Sequence, residues 1–285
     1  NVQQTHAGQQ RSTGKNDEGN PKFISEKGIK DMATIFERWD SAKTALINPW
    51  NVIEEKPDFP EVCITTFSAN MIDRLAESRD GKKIAELCSA NGNLPVYEIR
   101  YGGKRIAVFL SRVGAPACAA GLEEIIAMGA KKIVMFGCCG VLNQSAVQDK
   151  IIVPVSAVRD EGTSYHYMPA SEEIHAETSS VNILKNSLKK CGMSYVTGKT
   201  WTTDAVYRET QSVIEERREQ GCLAVEMECS AALAVTQFRK IPFVQFLYGA
   251  DHLHADRWEQ RDLAEYGIRN FKKYMQLAFE CALAL

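Results

Sequence analysis

The chain has 285 residues, 45% hydrophobic and 25% charged, the composition of an ordinary soluble globular protein. Its formal net charge of -2 provides no bulk attraction to nucleic acid or to an anionic membrane. No apolar run reaches the ~20 residues that a membrane-spanning helix requires.

Residues 1–20 are polar, lack the apolar stretch of a secretory signal, and read as a disordered lead before a domain at 21–285. Residues 61–67 (EVCITTF) read as a strand and 70–87 as a helix. Two strand-like runs, 96–100 and 105–110, flank Tyr101-Gly102-Gly103-Lys104, a strong hairpin signal. A helix is predicted over 117–128. Strands are predicted at 132–136, 151–158 and 242–247, apolar on both faces as in a sheet covered by helices on each side. Residues 222–237 read as a helix, and 261–285 as a closing amphipathic helix. The pattern predicts an α/β protein, a single domain with a central mixed β-sheet flanked by helices, the hairpin supplying its antiparallel part. Nine cysteines, none in C-x-x-C spacing, argue against a zinc or redox pair and for a reducing, cytoplasmic setting.

Ligands of such sheets bind beyond the carboxyl ends of the strands. Four polar or glycine-rich clusters are predicted there, at 68–70, 111–116, 137–140 and 249–252. Gly137-Cys138-Cys139-Gly140 reads either as a tight turn or as a backbone cradle for an anion. Arg112, before Gly114 and Pro116 at a helix start, reads either as a solvated arginine or as an anion contact. His166, in a polar aromatic loop, fits a ligand or acid–base role, or simply fixes the loop. Asp251 at a strand end is placed for acid chemistry or for capping a helix. Glu226 and Glu228 flank Met227 inside an apolar run, and buried carboxylates need partners such as ligand hydroxyls. On a helix these two would point about 200° apart; an irregular helix start would let both reach one cleft.

Five segments, in order and spacing, resemble a known family. They are SRVGAPACAAGLEEIIAMGAKKIVMFGCCGVL, DKIIVPVSAVRDEGTSYHYMP, TWTTDAVYRET, VEMECSAAL and FVQFLYGADH. The family is that of nucleoside phosphorylases, with uridine phosphorylase, hexameric purine nucleoside phosphorylase and methylthioadenosine nucleosidase, and the likeness covers residues 60–285. The resemblance implies attack of inorganic phosphate on the ribose C1′ of a purine nucleoside or uridine, giving free base and (deoxy)ribose 1-phosphate. By position it implies ribose contacts from Glu226, Met227 and Glu228, with Glu228 and Asp251 catalytic. It implies phosphate contacts from Gly137 and Cys138, with Arg112 and Ser68 as further candidates, and base contacts from Val206, Tyr207, Arg208 and His166. No metal and no cofactor are expected beyond phosphate as co-substrate, and the resemblance implies a homodimer or a trimer of dimers. The family's Gly-Asp-Pro-x-Arg loop is replaced here by Thr66-Phe67-Ser68-Ala69-Asn70, and an expected arginine by Met135. Hydrolytic cleavage by a nucleosidase and a non-catalytic nucleoside-binding role therefore stand as alternatives.

Overall fold

The computed structural model describes residues 34–254 and 256–285, so the expected disordered lead at 1–20 lies outside the described residues. The chain divides into Asn1–Ile35, described only at its last two residues, and Phe36–Leu285, which carries everything below.

The strands are β1 (Val62–Thr66), β2 (Lys82–Leu87), β3 (Leu94–Tyr101), β4 (Lys104–Leu110), β5 (Lys132–Val141) and β6 (Ile151–Asp160). They continue with β7 (Glu173–His175), β8 (Tyr195–Thr203), β9 (Cys222–Glu226), β10 (Phe243–Leu253) and β11 (Trp258–Glu259). The longer helices are α1 (Ala69–Ser78), α2 (Ala115–Met128), α3 (Thr178–Lys190), α4 (Gln211–Glu219), α5 (Cys229–Arg239) and α6 (Phe271–Ala284). Among the described residues the strands form one mixed sheet in the order β11-β10-β6-β8-β9-β5-β1-β4-β3-β2, with β7 on β6. A further pairing of β10 with β5 closes a ring through β5, β10, β6, β8 and β9.

The sheet is covered on both faces, as its apolar strands predicted. Ile64, Val134, Phe136 and Phe246 pack with residues of α1, α3 and α6. Cys63, Phe109, Ile133 and Met135 pack with residues of α2 and α5. No helix among the described residues is long and apolar enough to cross a membrane.

Several expected elements are corrected. The helix predicted over 70–87 ends at Ser78, because Asp80 (φ 49°) and Gly81 break it, and β2 follows. A methyl on Gly81 would come within 2.8 Å of the Ala76 backbone, so the break requires glycine. The helix predicted over 222–237 is the strand β9 and then α5: a short apolar run is ambiguous by period, and pairing with β8 and β5 decides it. The closing helix starts only at Phe271, after left-handed residues at Tyr266 and Gly267. Residues 137–140 are not a turn after a strand but part of β5, and Asp251 lies within β10, neither at a strand end nor at a helix cap.

That extension of β5 positions the site. Its first half lies between β1 and β10, with Phe136 the last residue paired to β1. It then continues beside β10 and meets β9 at Gly140 and Val141. Where β1 stops, the face of β5 carrying Cys138 and Gly140 opens, while Cys139 and Val141 on the other face stay buried.

Candidate active site

The β9–α5 junction explains the two glutamates. Glu226 is the last residue of β9 and Glu228 the N-cap of α5, so they do not share a helix and both are buried. The Glu226 carboxylate accepts from the backbone N–H of Glu228 (2.7 Å) and of Cys229 (2.6 Å), and from the Thr202 hydroxyl (2.6 Å). It thus satisfies helix-end amides that otherwise have no partner. The Ser230 N–H donates to Thr202 Oγ1 (3.0 Å), and the Ser230 hydroxyl donates to buried Glu161 (2.8 Å). This network orients the start of α5. Burial pushes Glu226 above the usual carboxylate range, against the pull of its hydrogen bonds.

Glu228 is held from across the cleft. Its Oε1 accepts from the backbone N–H of Gly114 (2.6 Å), the N-cap of α2. Gly114 sits at φ 96°, a conformation glycine adopts without strain. Burial, then the Glu226 charge, raises the Glu228 pKa. Met227, between the two, is only partly buried.

Asp251 faces Gly140 across the β10–β5 pairing, next to a bulge that follows Gly249. A methyl on Gly140 would stand 2.3 Å from Leu253, 3.0 Å from Val225 and 3.5 Å from Asp251 Oδ1, so only glycine lets these strands converge. The indole N–H of Trp258 donates to Asp251 Oδ2 (2.7 Å). Burial still raises the Asp251 pKa. Burial pushes the Cys138 thiol up to about 11, and the charges of Asp251 and Glu228 add to that.

A cavity of about 480 Å³ opens beside Asp251, lined by Val206, Tyr207, Glu209, His254, Arg257 and Trp258, among others. The structure therefore brings Asp251, Val206 and Tyr207 together around one cavity. Others of the expected residues lie elsewhere. His166 lines a separate hollow with Lys43, Tyr167, Phe238 and Arg239. The Arg112 guanidinium donates to the carbonyls of Leu87 (3.2 Å) and Gly92 (3.0 Å), bracing the β2–β3 loop. Arg208 is exposed. Ser68 is the buried N-cap of α1, and Gly137 accommodates the Phe67 ring, which a methyl would meet at 2.7 Å. Met135, fully buried, belongs to the α2–α5 side of the core.

Sequence reasoning missed Glu209, Thr202 and Trp258. Glu209 and Thr202 lie inside the segment TWTTDAVYRET, in which the resemblance points only to Val206, Tyr207 and Arg208. Nothing local marks Trp258, whose role depends on the β10–β11 pairing.

The phosphorylase superfamily profile matches residues 61–284. The chain belongs to the phosphorylase superfamily. A curated guanosine phosphorylase from Halorubrum lacusprofundi is 24% identical over 191 residues, 66% of this chain and 76% of that protein. Among solved structures, a purine nucleoside phosphorylase from Toxoplasma gondii in complex with immucillin-H superposes with a TM-score of 0.65 at 23% identity. That match covers 82% of this chain and 92% of the other. A uridine phosphorylase from Vibrio fischeri gives a TM-score of 0.64 at 20% identity, covering 82% and 96%. These likenesses establish for this superfamily member the mixed-sheet α/β fold.

Proposed function

We propose that this protein is a nucleoside phosphorylase that cleaves the N-glycosidic bond of a purine nucleoside. The observation that carries the reading is Asp251, a buried carboxyl with a raised pKa on the wall of a cavity shared with Val206 and Tyr207. In this reading Val206 and Tyr207 flank the base, and Glu228, reached through Met227, accepts from the ribose hydroxyls. A phosphate oxygen forms the new bond to C1′ as the C1′–N9 bond breaks. The electron pair leaves with the base, and protonated Asp251 gives its proton to N7. An acid whose pKa burial raises above the ordinary carboxylate range suits this transfer, and an oxocarbenium-like transition state is the analogue in glycosyl transfer. The Trp258 indole holds Oδ2, leaving Oδ1 for the base. The curated guanosine phosphorylase relative supports the purine assignment.

Hydrolysis is the second reading. The observation favouring it is that Met135, where the resemblance expects a phosphate-binding arginine, lies in the core, and that Arg112, the candidate to replace it, is engaged by two backbone carbonyls. We further propose a homo-oligomer, with a second copy covering the apolar residues at the cavity mouth.

The test is base release from guanosine, inosine, adenosine, uridine and thymidine, with and without phosphate, followed by chromatography. Release that requires phosphate and yields a sugar 1-phosphate is expected. Equal release without phosphate makes the protein a nucleosidase, and wild-type turnover by Asp251→Asn on purine nucleosides removes the assigned acid.

A further inference from the structure

Strand β10 ends at Leu253, and His254 continues its pairing by donating its backbone N–H to the Arg257 carbonyl (2.8 Å). Residues two apart on a strand share a side, and the rings of His252 and His254 meet edge to face with centroids 5.9 Å apart. The β10–β11 register sets Glu259 opposite His252. Each of the three offers one ligand atom, and these atoms lie within 4.8 Å of one another. Glu259 Oε2 stands 3.2 Å from His254 Nε2 and 3.9 Å from His252 Nδ1. His252 is buried, and its Nδ1 has no hydrogen-bond partner among the described residues. A buried ring nitrogen left so is costly and calls for an explanation. An ion pair between His254 and exposed Glu259 accounts for those two side chains but not for the Nδ1 of His252.

We propose that His252, His254 and Glu259 form a binding site for a divalent transition-metal cation, zinc by the chemistry of its donors. Two imidazoles and a carboxylate suit zinc and its first-row neighbours, whereas calcium and magnesium take oxygen ligands. Bond lengths of ~2.0–2.1 Å place the ligand atoms of four-coordinate zinc ~3.3 Å apart. Glu259 and His254 already stand at that spacing, and His252 needs only a small closing shift. Exposed Glu259 gives the ion a path from solvent, and water completes its shell. Arg261 contacts Nε2 of His252. With the ion on Nδ1 the ring carries its proton on Nε2, so the exposed Arg261 side chain swings away: arginine and cation compete for one imidazole. Strand β11 also carries Trp258, whose indole holds Asp251. An ion that clamps β11 to β10 therefore pins the hairpin that forms one wall of the cavity. A His-x-His pair is by itself no metal motif, and Glu259 joins it only through the β10–β11 pairing, so no metal was expected from the sequence.

The test strips the full chain with a chelator, then titrates it with cobalt(II), read by visible absorption, and with zinc, read by calorimetry. One ion per chain is expected, with cobalt bands of nitrogen and oxygen ligation. His254→Ala and Glu259→Gln change side chains that are half-buried and exposed, so both proteins should fold. Each is expected to weaken zinc binding at least ~10-fold, the loss that changing even an outer partner of a metal site produces. Arg261→Gln removes the competing cation and is expected to tighten it. Saturating zinc should raise the melting midpoint of wild type and leave that of Glu259→Gln in place. Absence of stoichiometric binding overturns the site, as does an affinity unchanged in both His254→Ala and Glu259→Gln. Sulfur-to-cobalt charge-transfer bands would place the ion on cysteine and overturn it equally.

Discussion

The Glu226 carboxylate is engaged by two backbone amides and a hydroxyl, whereas Glu228 receives one amide from the opposite helix. Their substitutions should therefore diverge. Glu226→Ala strips a buried hydroxyl and two helix-end amides of their acceptor, an expected loss of about 1–3 kcal/mol in urea unfolding. Glu228→Ala removes a carboxyl that burial and a neighbouring charge already disfavour. It should leave the urea midpoint near wild type while nucleoside binding, measured by calorimetry, is lost. The sequence made it plain that carboxylates in an apolar run require partners. It did not reveal that the chain changes from strand to helix between them, because that break depends on β9 pairing with β5 and β8. The same burial has a pH signature. Glu209, Glu226, Glu228 and Asp251 all have pKa values raised in the folded, ligand-free protein. Above the unfolded carboxylate range, near 4.5, the folded state thus holds more protons than the unfolded one, and stability falls as pH rises. Calorimetric melting of the ligand-free protein should show a lower midpoint at pH 8 than at pH 5, and Glu209→Gln should flatten that slope. A midpoint rising over this interval would contradict the sign.

Strand β10 shows how an element places the proposed acid. Its bulge near Gly249 sets Asp251 opposite Gly140, and the turn into β11 returns Trp258 to hold the carboxylate. The indole donor stabilises the charged form, opposing burial. Trp258→Phe removes that donor, so the Asp251 pKa should rise further. In the proposed mechanism the proton must be on Asp251 before it can be given to the base, so activity should fall as pH rises through this pKa. The basic limb of the kcat/KM profile should move to higher pH in Trp258→Phe, and an unmoved limb would show that Asp251 is not the titrating acid. At this scale the sequence was legible where a turn residue or a two-faced apolar run marked an element: the Gly102–Gly103 hairpin, β1, β6 and α2 stand where their residues put them. It was misleading where glycine and cysteine suggested a loop. In β5 the glycines are there because Phe67 and Leu253 approach the strand, a tertiary cause with no local signature.

At the scale of the molecule, the sheet is closed by the β10–β5 pairing, and two helices on one face, α2 and α5, direct their N-termini toward one cleft. Farther along the same pair, Arg239 of α5 grips Glu123 of α2 through two hydrogen bonds (2.7 and 2.9 Å), fixing their relative position. The outer wall of the cavity is different. Tyr207 is 96% exposed, Trp258 58% and Val206 46%, although all three line it. Nearby apolar side chains left in water around a binding mouth mark a surface that another body covers. A second copy of this chain is the occupant we propose, because a monomer would leave the reacting C1′ open to water in competition with phosphate. Light scattering should accordingly give at least twice the chain mass of 31.7 kDa. Tyr207→Ser should weaken the assembly and raise KM together with the share of cleavage that proceeds by hydrolysis. A monomer of full phosphorolytic activity would mean that the cavity is complete within one chain and that Tyr207 is covered by substrate alone.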